Sequence, residues 1–273
     1  MLTFPNCKIN LGLNILHKRA DGFHDIETVF YPVALNDILE VITAPASNEA
    51  VNYSCSGLAI SGEKENNLCI KAFHLLKKDF PALPPVKLHL HKTIPMGAGL
   101  GGGSADGAFT LTMLNEKYQL NISTQQLQIY AAALGSDGPF FIINQPAYAT
   151  GRGELLETTN VNLSTYRIIL VNPGIHINTA WAFSQITPAI PVQSIKAIIA
   201  QPITTWKDEL KNDFENPVFE KYPEIKDIKD ELYKQGALYA AMSGSGSTVF
   251  GIFETLPPTN LFPDRNYFIK IVS

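Results

Sequence analysis

The sequence predicts an α+β protein of two domains, residues 1–150 and residues 151–273. Three observations support this prediction. A predicted strand, a glycine-rich loop and a helix follow one another in the first half. The composition turns polar over residues 151–157, and further strands and helices with their own glycine turn follow. A chain of 273 residues, 45% of them hydrophobic, is long enough to form two separate cores.

The composition excludes several classes of protein. No apolar run approaches about 18 residues, and the N-terminus lacks the charged-then-apolar pattern of a leader, so we expect a cytoplasmic protein with no membrane partner. A net charge of −4 argues against a nucleic-acid partner. The three cysteines include no C-x-x-C pair, which argues against a disulfide framework and against a cysteine zinc site.

The N-terminal segment, residues 7–16, is predicted to be a strand because apolar residues alternate along it. Lys8 and Asn10 fall on the face opposite the apolar residues, and such a polar pair is usually exposed to solvent. An Asp-Gly turn follows and leads into Phe23 and His24. When these two residues are considered alone, roles in packing and at the surface are favoured over a ligand site.

A glycine-rich loop begins at Pro95, after a strand predicted for residues 86–91, and leads into a helix. Five of the seven residues from 97 to 103 are glycine. Glycine lets backbone N–H groups approach a ligand closely, and Ser104 is expected to cap the helix, whose N-terminus favours an anion such as a phosphate chain. A glycine-rich loop before a helix also occurs in NAD sites, but an NAD site would need an acidic residue after a second strand. A Walker phosphate loop is excluded, because the sequence contains no Gly-Lys-Ser/Thr. The remaining alternative is a turn that only lets helix and sheet pack closely.

Two helices are predicted after the loop, over residues 104–118 and 123–134. A turn over residues 136–139 then precedes an apolar segment, residues 140–143, that is predicted to be a buried strand. Asp137 in this turn is either structural, with a hydrogen bond to its own backbone, or a catalytic carboxylate.

The second half contains a predicted strand over residues 166–171 and a loop that ends at Phe183. Residues 243–247 read Ser-Gly-Ser-Gly-Ser and precede a strand predicted for residues 248–253. This second glycine turn is either a loop that approaches a ligand or a simple connection between strands, and the residues alone favour neither.

Three segments in this order resemble the GHMP kinase superfamily: Lys8-Ile9-Asn10, the Pro-Met-Gly-Ala-Gly-Leu-Gly-Gly-Gly-Ser loop, and Met-Ser-Gly-Ser-Gly-Ser near the C-terminus. The resemblance implies a two-domain GHMP kinase fold, with an N-terminal domain like domain 2 of ribosomal protein S5 and a ferredoxin-like C-terminal domain. Ala-Asp-Gly-Phe-His, Leu-Gly-Ser-Asp-Gly-Pro-Phe-Phe and Asn-Asp-Phe-Glu resemble the branch that phosphorylates a cytidine diphosphate conjugate in the non-mevalonate isoprenoid pathway.

The resemblance also implies the chemistry of the site. ATP and Mg²⁺ are the implied cofactors, and the γ-phosphoryl group goes to the C2 hydroxyl of a small-molecule diphosphocytidyl substrate. Asp137 is implied to accept the hydroxyl proton, Lys8 to stabilise the developing charge and Asn10 to orient the acceptor. The metal ligands do not follow from the sequence, and the chain is expected to be a monomer or a homodimer. The alternatives are another small-molecule GHMP kinase or a nucleotide-binding regulator without catalysis.

Two sets of binding residues follow from the same resemblance. Phe23 and Phe183 are implied to stack on the cytosine, and His24 to recognise its polar edge. The loop residues assigned to ATP are Pro95, Met96, Gly97, Ala98, Gly99, Leu100, Gly101, Gly102, Gly103 and Ser104.

Three residues depart from the usual pattern of this branch. Phe23 stands in place of Tyr, and Gly107 stands in place of Ala in the helix after the loop. We expect Gly107 to weaken that helix by about 0.5–1 kcal/mol relative to alanine. Gly138 replaces a larger apolar residue, and we expect it to loosen the position of Asp137.

Overall fold

The computed structural model describes residues 1–45, 49–258, 261–263 and 265–272 of the chain. None of the helices in these ranges is both long and apolar enough to cross a membrane. In chain order, the strands and α-helices are β1 (Leu2–Thr3), β2 (Asn6–Lys18), β3 (His24–Asn36), β4 (Ile38–Thr43), β5 (Val51–Gly57), α1 (Leu68–Asp79), β6 (Val86–Lys92), α2 (Gly102–Lys117), α3 (Thr124–Leu134), α4 (Gly138–Ile143), β7 (Ala147–Thr150), β8 (Leu155–Thr158), β9 (Arg167–Asn172), α5 (Thr179–Ser184), α6 (Ile195–Ile199), α7 (Trp206–Glu209), α8 (Glu215–Lys221), α9 (Pro223–Lys234), β10 (Tyr239–Met242), β11 (Val249–Phe253) and β12 (Phe268–Val272).

The chain divides into two compact units, and the glycine-rich loop contributes to both, because residues 97–100 belong to the second unit and the rest of the loop to the first. The domain boundary predicted near residue 150 stays a prediction. The first unit comprises Met1–Cys7, Leu35–Met96 and Gly101–Gln145, and the second comprises Lys8–Ala34, Gly97–Leu100 and Pro146–Ser273.

The first unit contains a four-stranded sheet in the order β1-β4-β6-β5. Strands β5 and β6 are parallel, and α1 forms the crossover between them, as parallel pairing requires. Strand β6 buries Val86, Leu88 and Leu90, which confirms the alternation seen in the sequence. Helix α1 packs against α2, and α3 packs against α4.

The apolar segment after Asp137 is helical and not the strand that was predicted. It forms α4, and Pro139 lies in the first turn. Backbone N–H groups in the first turn make no intrahelical hydrogen bond, so the absence of an N–H in proline costs nothing there. Four consecutive apolar residues are compatible with either a buried strand or a buried helix, so the periodicity of the sequence could not decide between them.

The second unit contains two four-stranded sheets, in the orders β2-β3-β7-β8 and β10-β11-β9-β12. Helix α9 packs against β10 and β11 with a strongly amphipathic face. The core of this unit joins residues that are far apart in the sequence. Its buried members include Leu13, Ile15, Ile26, Ile169, Val171, Phe214, Val218, Ile228, Leu232 and Met242.

Candidate active site

The glycine-rich loop ends at the N-terminus of α2, in the first unit. Helix α2 begins at Gly102, and its N-cap residue is Gly101, with φ 70°. The prediction that Ser104 caps the helix is therefore wrong, because the left-handed glycine lets the chain enter the helix three residues earlier. Ala105 N donates to Gly101 O at 2.9 Å, so the N–H groups of Gly102, Gly103 and Ser104 precede the first intrahelical bond. Such N–H groups form an anion-binding site.

Lys8 on β2, in the second unit, is only 3% exposed, so the expectation of a solvent-facing polar pair is wrong. Its Nζ donates to Asn10 Oδ1 at 2.6 Å and to Gly99 O at 3.1 Å. The same ammonium lies 5.2 Å from the centre of the Phe30 ring. Burying such a group is costly without partners of this kind, and these contacts hold the Lys8 side chain against the glycine-rich loop.

The second glycine turn supports the glycine-rich loop. The buried Ser243 hydroxyl donates to Gly99 O at 2.8 Å and accepts from Asn10 N at 3.3 Å. Thr248 N donates to Ala98 O at 3.2 Å. The turn is therefore more than a connection between strands, because hydrogen bonds from it and from Thr248 hold Ala98 and Gly99 in place.

Gly99 has no room for a side chain. Its φ is +79°, and a Cβ atom there would lie 2.0 Å from Ser243 O. The backbone of the second glycine turn thus occupies the space into which any side chain would project, and only glycine fits.

The Asn-Asp-Phe-Glu segment, residues 212–215, leads into α8 and is hydrogen-bonded to the second glycine turn and to the strand before it. Asn212 Nδ2 donates to Met242 O at 2.7 Å and to Gly244 O at 2.8 Å. The Asp213 carboxylate accepts from a backbone N–H of β2 at 2.7 Å, and Glu215 accepts from Met242 N at 2.9 Å. The segment is thus a brace between β2 and the second glycine turn. In the sequence, the Asn-Asp-Phe-Glu segment was noted only for its resemblance to the family, and its structural role was not predicted.

The residues assigned to a cytosine fall into two pairs within the second unit. His24 and Phe183 stack, with ring centroids 4.8 Å apart and planes 15° apart. Phe23 is 51% exposed, and the Arg152 guanidinium lies 4.8 Å from the centre of its ring. Burial, aided by the charge of Lys18, lowers the pKa of His24, so its ring is neutral at neutral pH.

Asp137 lies at the N-cap position of α4, in the first unit. The expectation that Gly138 loosens this residue stays a prediction. A Cβ atom at 138 would lie 2.4 Å from Ala131 O, so glycine permits the close packing of α4 on α3.

A cavity of about 200 Å³ adjoins the glycine-rich loop at Met96, in the first unit. No sequence pattern had indicated it. Asn67 forms part of its wall and donates to Tyr53 Oη at 2.9 Å. The residues around it are Tyr53, Cys55, Ile60, Ser61, Gly62, Glu63, Lys64, Asn66, Asn67 and Met96.

Comparison with known proteins identifies the family of the chain. The family model for the GHMP kinases N terminal domain matches residues 67–151, and the one for GHMP kinases C terminal matches residues 194–260. A relative from Bacteroides thetaiotaomicron is 52% identical over 263 residues, which cover 95% of this chain and 96% of the relative. One from Cytophaga hutchinsonii is 51% identical over 260 residues, which cover 95% and 94%. Both are named 4-diphosphocytidyl-2-C-methyl-D-erythritol kinase.

Solved structures agree. A crystal structure of 4-(cytidine 5'-diphospho)-2C-methyl-D-erythritol kinase matches with a TM-score of 0.84 and 28% identity, covering 100% of this chain and 99% of that one. The Methanococcus jannaschii mevalonate kinase shares the fold, with a TM-score of 0.72 and 12% identity, covering 100% and 97%.

These matches define the class as GHMP kinase, an enzyme class that uses ATP as phosphate donor, and they confirm the predicted α+β GHMP kinase fold. Within this class, the chain belongs to the 4-diphosphocytidyl-2-C-methyl-D-erythritol kinase family.

Proposed function

We propose that this protein transfers the γ-phosphoryl group of ATP to the C2 hydroxyl of 4-diphosphocytidyl-2-C-methyl-D-erythritol, in the non-mevalonate isoprenoid pathway. The observation that carries the proposal is the hydrogen bond from the buried Lys8 ammonium to Gly99 O, which links a cation to the glycine-rich loop. The family of the chain supplies the substrate class.

The glycine-rich loop binds the triphosphate of ATP in this proposal. The N–H groups at the start of α2 supply hydrogen bonds, and the helix dipole favours the negative charge. Phosphoryl transfer depends mainly on positioning and on neutralising charge, which such a loop provides without covalent chemistry. The cavity beside Met96 receives the base of ATP, because it begins where the loop begins.

Asp137, Lys8 and Asn10 act on the acceptor. The Asp137 carboxylate accepts the proton of the C2 hydroxyl, and the Lys8 ammonium stabilises the negative charge that develops on that oxygen. Asn10 orients the hydroxyl. Its side chain is itself fixed, since Asn10 Nδ2 donates to Thr28 Oγ1 at 3.0 Å while its oxygen accepts from Lys8.

Phe23, Phe183 and His24 recognise the cytosine. Aromatic rings stack on an unpaired base, and a neutral imidazole offers one donor and one acceptor to its polar edge. The stacking of His24 on Phe183 fixes the plane of the imidazole before the base arrives.

Mg²⁺ fits this site as a companion of ATP. Within the described ranges, no group of three or more His, Cys, Asp and Glu side chains could hold a metal ion. Mg²⁺ bound to nucleotides keeps several waters and takes much of its coordination from phosphate oxygens, so a dedicated cage is not required. When bound, it neutralises charge on the β- and γ-phosphates. The Ser104 hydroxyl, in the first turn of α2, would contact it through water and not as a direct ligand.

A coupled assay of ADP release tests the proposed activity. We expect turnover with the diphosphocytidyl substrate, competition by CDP, and little turnover with mevalonate or homoserine. Turnover with those alcohols and no effect of CDP would indicate another GHMP kinase. ATP binding without turnover of any acceptor would indicate a regulator.

Gly103→Asp tests the position of the triphosphate. A Cβ atom at Gly103 meets only Leu68 Cδ1, at 4.0 Å, and a carboxylate in the first turn suits the helix dipole, so the fold is retained. The added charge repels the phosphates, and we expect the Kd for ATP to rise at least tenfold. Gly103→Asn adds the same shape without charge and should lose clearly less affinity.

A further inference from the structure

Three buried charged side chains, Asp37, Lys92 and Asp106, form an ion cluster in the first unit. They are 0%, 2% and 3% exposed. Lys92 Nζ donates to Asp106 Oδ2 at 2.7 Å and also to Asp37 Oδ2. Lys92 occupies the buried phase of β6, where an apolar residue would ordinarily lie. The roles proposed above do not use this cluster, although burying three charges is costly.

The cluster joins the two ends of the glycine-rich loop. Asp37 Oδ1 accepts from Thr93 N at 2.6 Å and from Ile94 N at 2.9 Å, immediately before the loop. Asp106 lies in the second turn of α2, immediately after the loop. Because Lys92 binds both carboxylates, one ammonium holds the strand that leads into the loop and the helix that leads out of it.

The Lys92 ammonium also lies against the first residue of α2. A Cβ atom at Gly102 would be 3.1 Å from Lys92 Nζ and 2.9 Å from Ile94 Cγ2. Glycine at this position lets the helix N-terminus pack directly on the ammonium. Lys92 therefore adds positive charge next to the N–H groups at the start of α2. A change in how far the two carboxylates neutralise this charge alters the electrostatic potential at those N–H groups.

The cluster contains two carboxylates for one ammonium. The two carboxylates raise the pKa of Lys92 despite its burial, so it stays charged. Burial, with the charge of Asp37 adding to it, raises the pKa of Asp106 to about 7 although Lys92 opposes this. Asp106 Oδ1 has no hydrogen-bond partner in the described part of the chain. Cys69 on α1 and Tyr53 on β5 also face Asp106, and burial keeps both protonated at neutral pH.

We propose that Lys92 is a positioning residue for ATP, because it holds both ends of the glycine-rich loop through Asp37 and Asp106. The proposal rests on the assignment of the ATP phosphates to that loop. When Asp106 loses its proton, the net charge of the cluster falls from zero to −1, and the phosphates are bound less favourably. The affinity for ATP therefore falls as the pH rises through neutrality.

Titration calorimetry with a non-hydrolysable ATP analogue, from pH 6 to 8.5, tests the proposal. We expect Lys92→Gln to raise the Kd at least tenfold, while the KM for the diphosphocytidyl substrate changes less than threefold. We expect the wild-type Kd to rise several-fold more between pH 6 and 8.5 than that of Asp106→Asn, which has no proton to lose there. The pH dependence of ATP itself is common to both proteins and cancels.

Asp79→Asn is the matched control, since Asp79 accepts a hydrogen bond from Tyr130 in the same unit and has no bond to the loop. The proposal would be overturned if Lys92→Gln raised the Kd for the ATP analogue and the KM for the diphosphocytidyl substrate by the same factor. It would also be overturned if the Kd of Asp106→Asn changed with pH in parallel with the wild-type Kd. If Lys92→Gln does not fold, the profile of Asp106→Asn decides alone. A Gly103→Asp variant that binds ATP normally would instead refute the assignment of the loop. Weak binding by Gly103→Asp with normal binding by Lys92→Gln would refute only the role of Lys92.

Discussion

The Ser243 hydroxyl donates a hydrogen bond to Gly99 O across 2.8 Å, although 144 residues separate the two in the sequence. The same carbonyl oxygen accepts from Lys8 Nζ at 3.1 Å. Both lone pairs of Gly99 O are therefore occupied by protein groups. The backbone of the loop is fixed before any nucleotide binds.

Gly99→Ala should disrupt this arrangement. The new Cβ atom would overlap Ser243 O, and φ +79° is unfavourable for alanine. We expect a loss of about 3 kcal/mol or more in the free energy of unfolding, together with loss of detectable ATP binding, measured by urea unfolding and calorimetry. Gly236→Ala is the control, because Gly236 has φ +94° with nothing within 4 Å, so only backbone strain of about 1–2 kcal/mol is added. Equal losses in the two variants would show that the overlap is relieved.

Asp137→Asn should lower kcat by roughly 10²- to 10⁴-fold, the range for removal of an acid–base group. The substitution preserves the shape of the side chain, so we expect the KM values and the circular dichroism spectrum to change little. Asp227→Asn, at an exposed position on α9, serves as the control. Turnover near the wild-type rate in Asp137→Asn would remove Asp137 from the role of base.

His24 should make substrate binding depend on pH. Because burial lowers its pKa, the folded protein keeps His24 neutral, and protonation occurs only at a pH below the ordinary value of 6.5. A charged ring lacks the acceptor nitrogen, so we expect the KM for the diphosphocytidyl substrate to rise as the pH falls below that value. His24→Ala should raise this KM at all pH values with little change in kcat, because the contact is the same in ground and transition states. A KM that His24→Ala leaves unchanged would contradict the cytosine assignment.

Gly138→Ala should destabilise the protein, whereas the same change in an open helix would stabilise it by up to about 1 kcal/mol. The overlap with Ala131 O forces α4 away from α3, at a cost of about 1–3 kcal/mol in the free energy of unfolding. Gly103→Ala in α2 is the comparison, because a Cβ atom there has open space. Urea unfolding of the two variants measures the difference, and stabilisation by both would contradict the packing described for α4.

Asp106 should also make stability depend on pH. Its pKa is about 7 in the folded protein and 3.8 as the ordinary value, so the folded state holds more protons between these limits. The contribution of Asp106 to the free energy of unfolding therefore falls as the pH rises from 4 to 7. Asp106→Asn lacks this fall, and urea unfolding at pH 5 and pH 8 measures the difference. Identical pH dependence in variant and wild type would show that Asp106 ionises normally.

Local patterns in the sequence predicted much of the fold. The alternation around Leu88 predicted β6, and the capping Ser123 predicted the start of α3. The start of α2 was missed because capping preferences favour serine, whereas Gly101 reaches the helix first in the left-handed conformation. The resemblance, rather than any period or spacing, supplied the roles of Lys8 and Asp137, and these roles remain predictions.

The unpredicted parts of the site depend on contacts between distant residues. The buried Lys8 ammonium donates to Gly99 O, 91 residues away, and this contact leaves no periodic signal in the sequence. Lys92 does leave a periodic signal, because it is a charged residue at one of the alternating buried positions of β6, which are otherwise apolar. Its carboxylate partners lie 55 and 14 residues away, and only the folded chain brings them together.

The chain segments that make up each unit determine when that unit can fold during synthesis. Every residue of the first unit precedes Pro146, whereas Ile15 and Ile26 belong to a core whose other members extend to Leu261. At about 5–20 residues per second, synthesis from Ile26 to Leu261 takes roughly 10–50 seconds, so the core that contains Ile15 and Ile26 is completed only after that time. During that interval the nascent chain exposes two apolar strands, which makes chaperone binding during translation the expected fate of these segments.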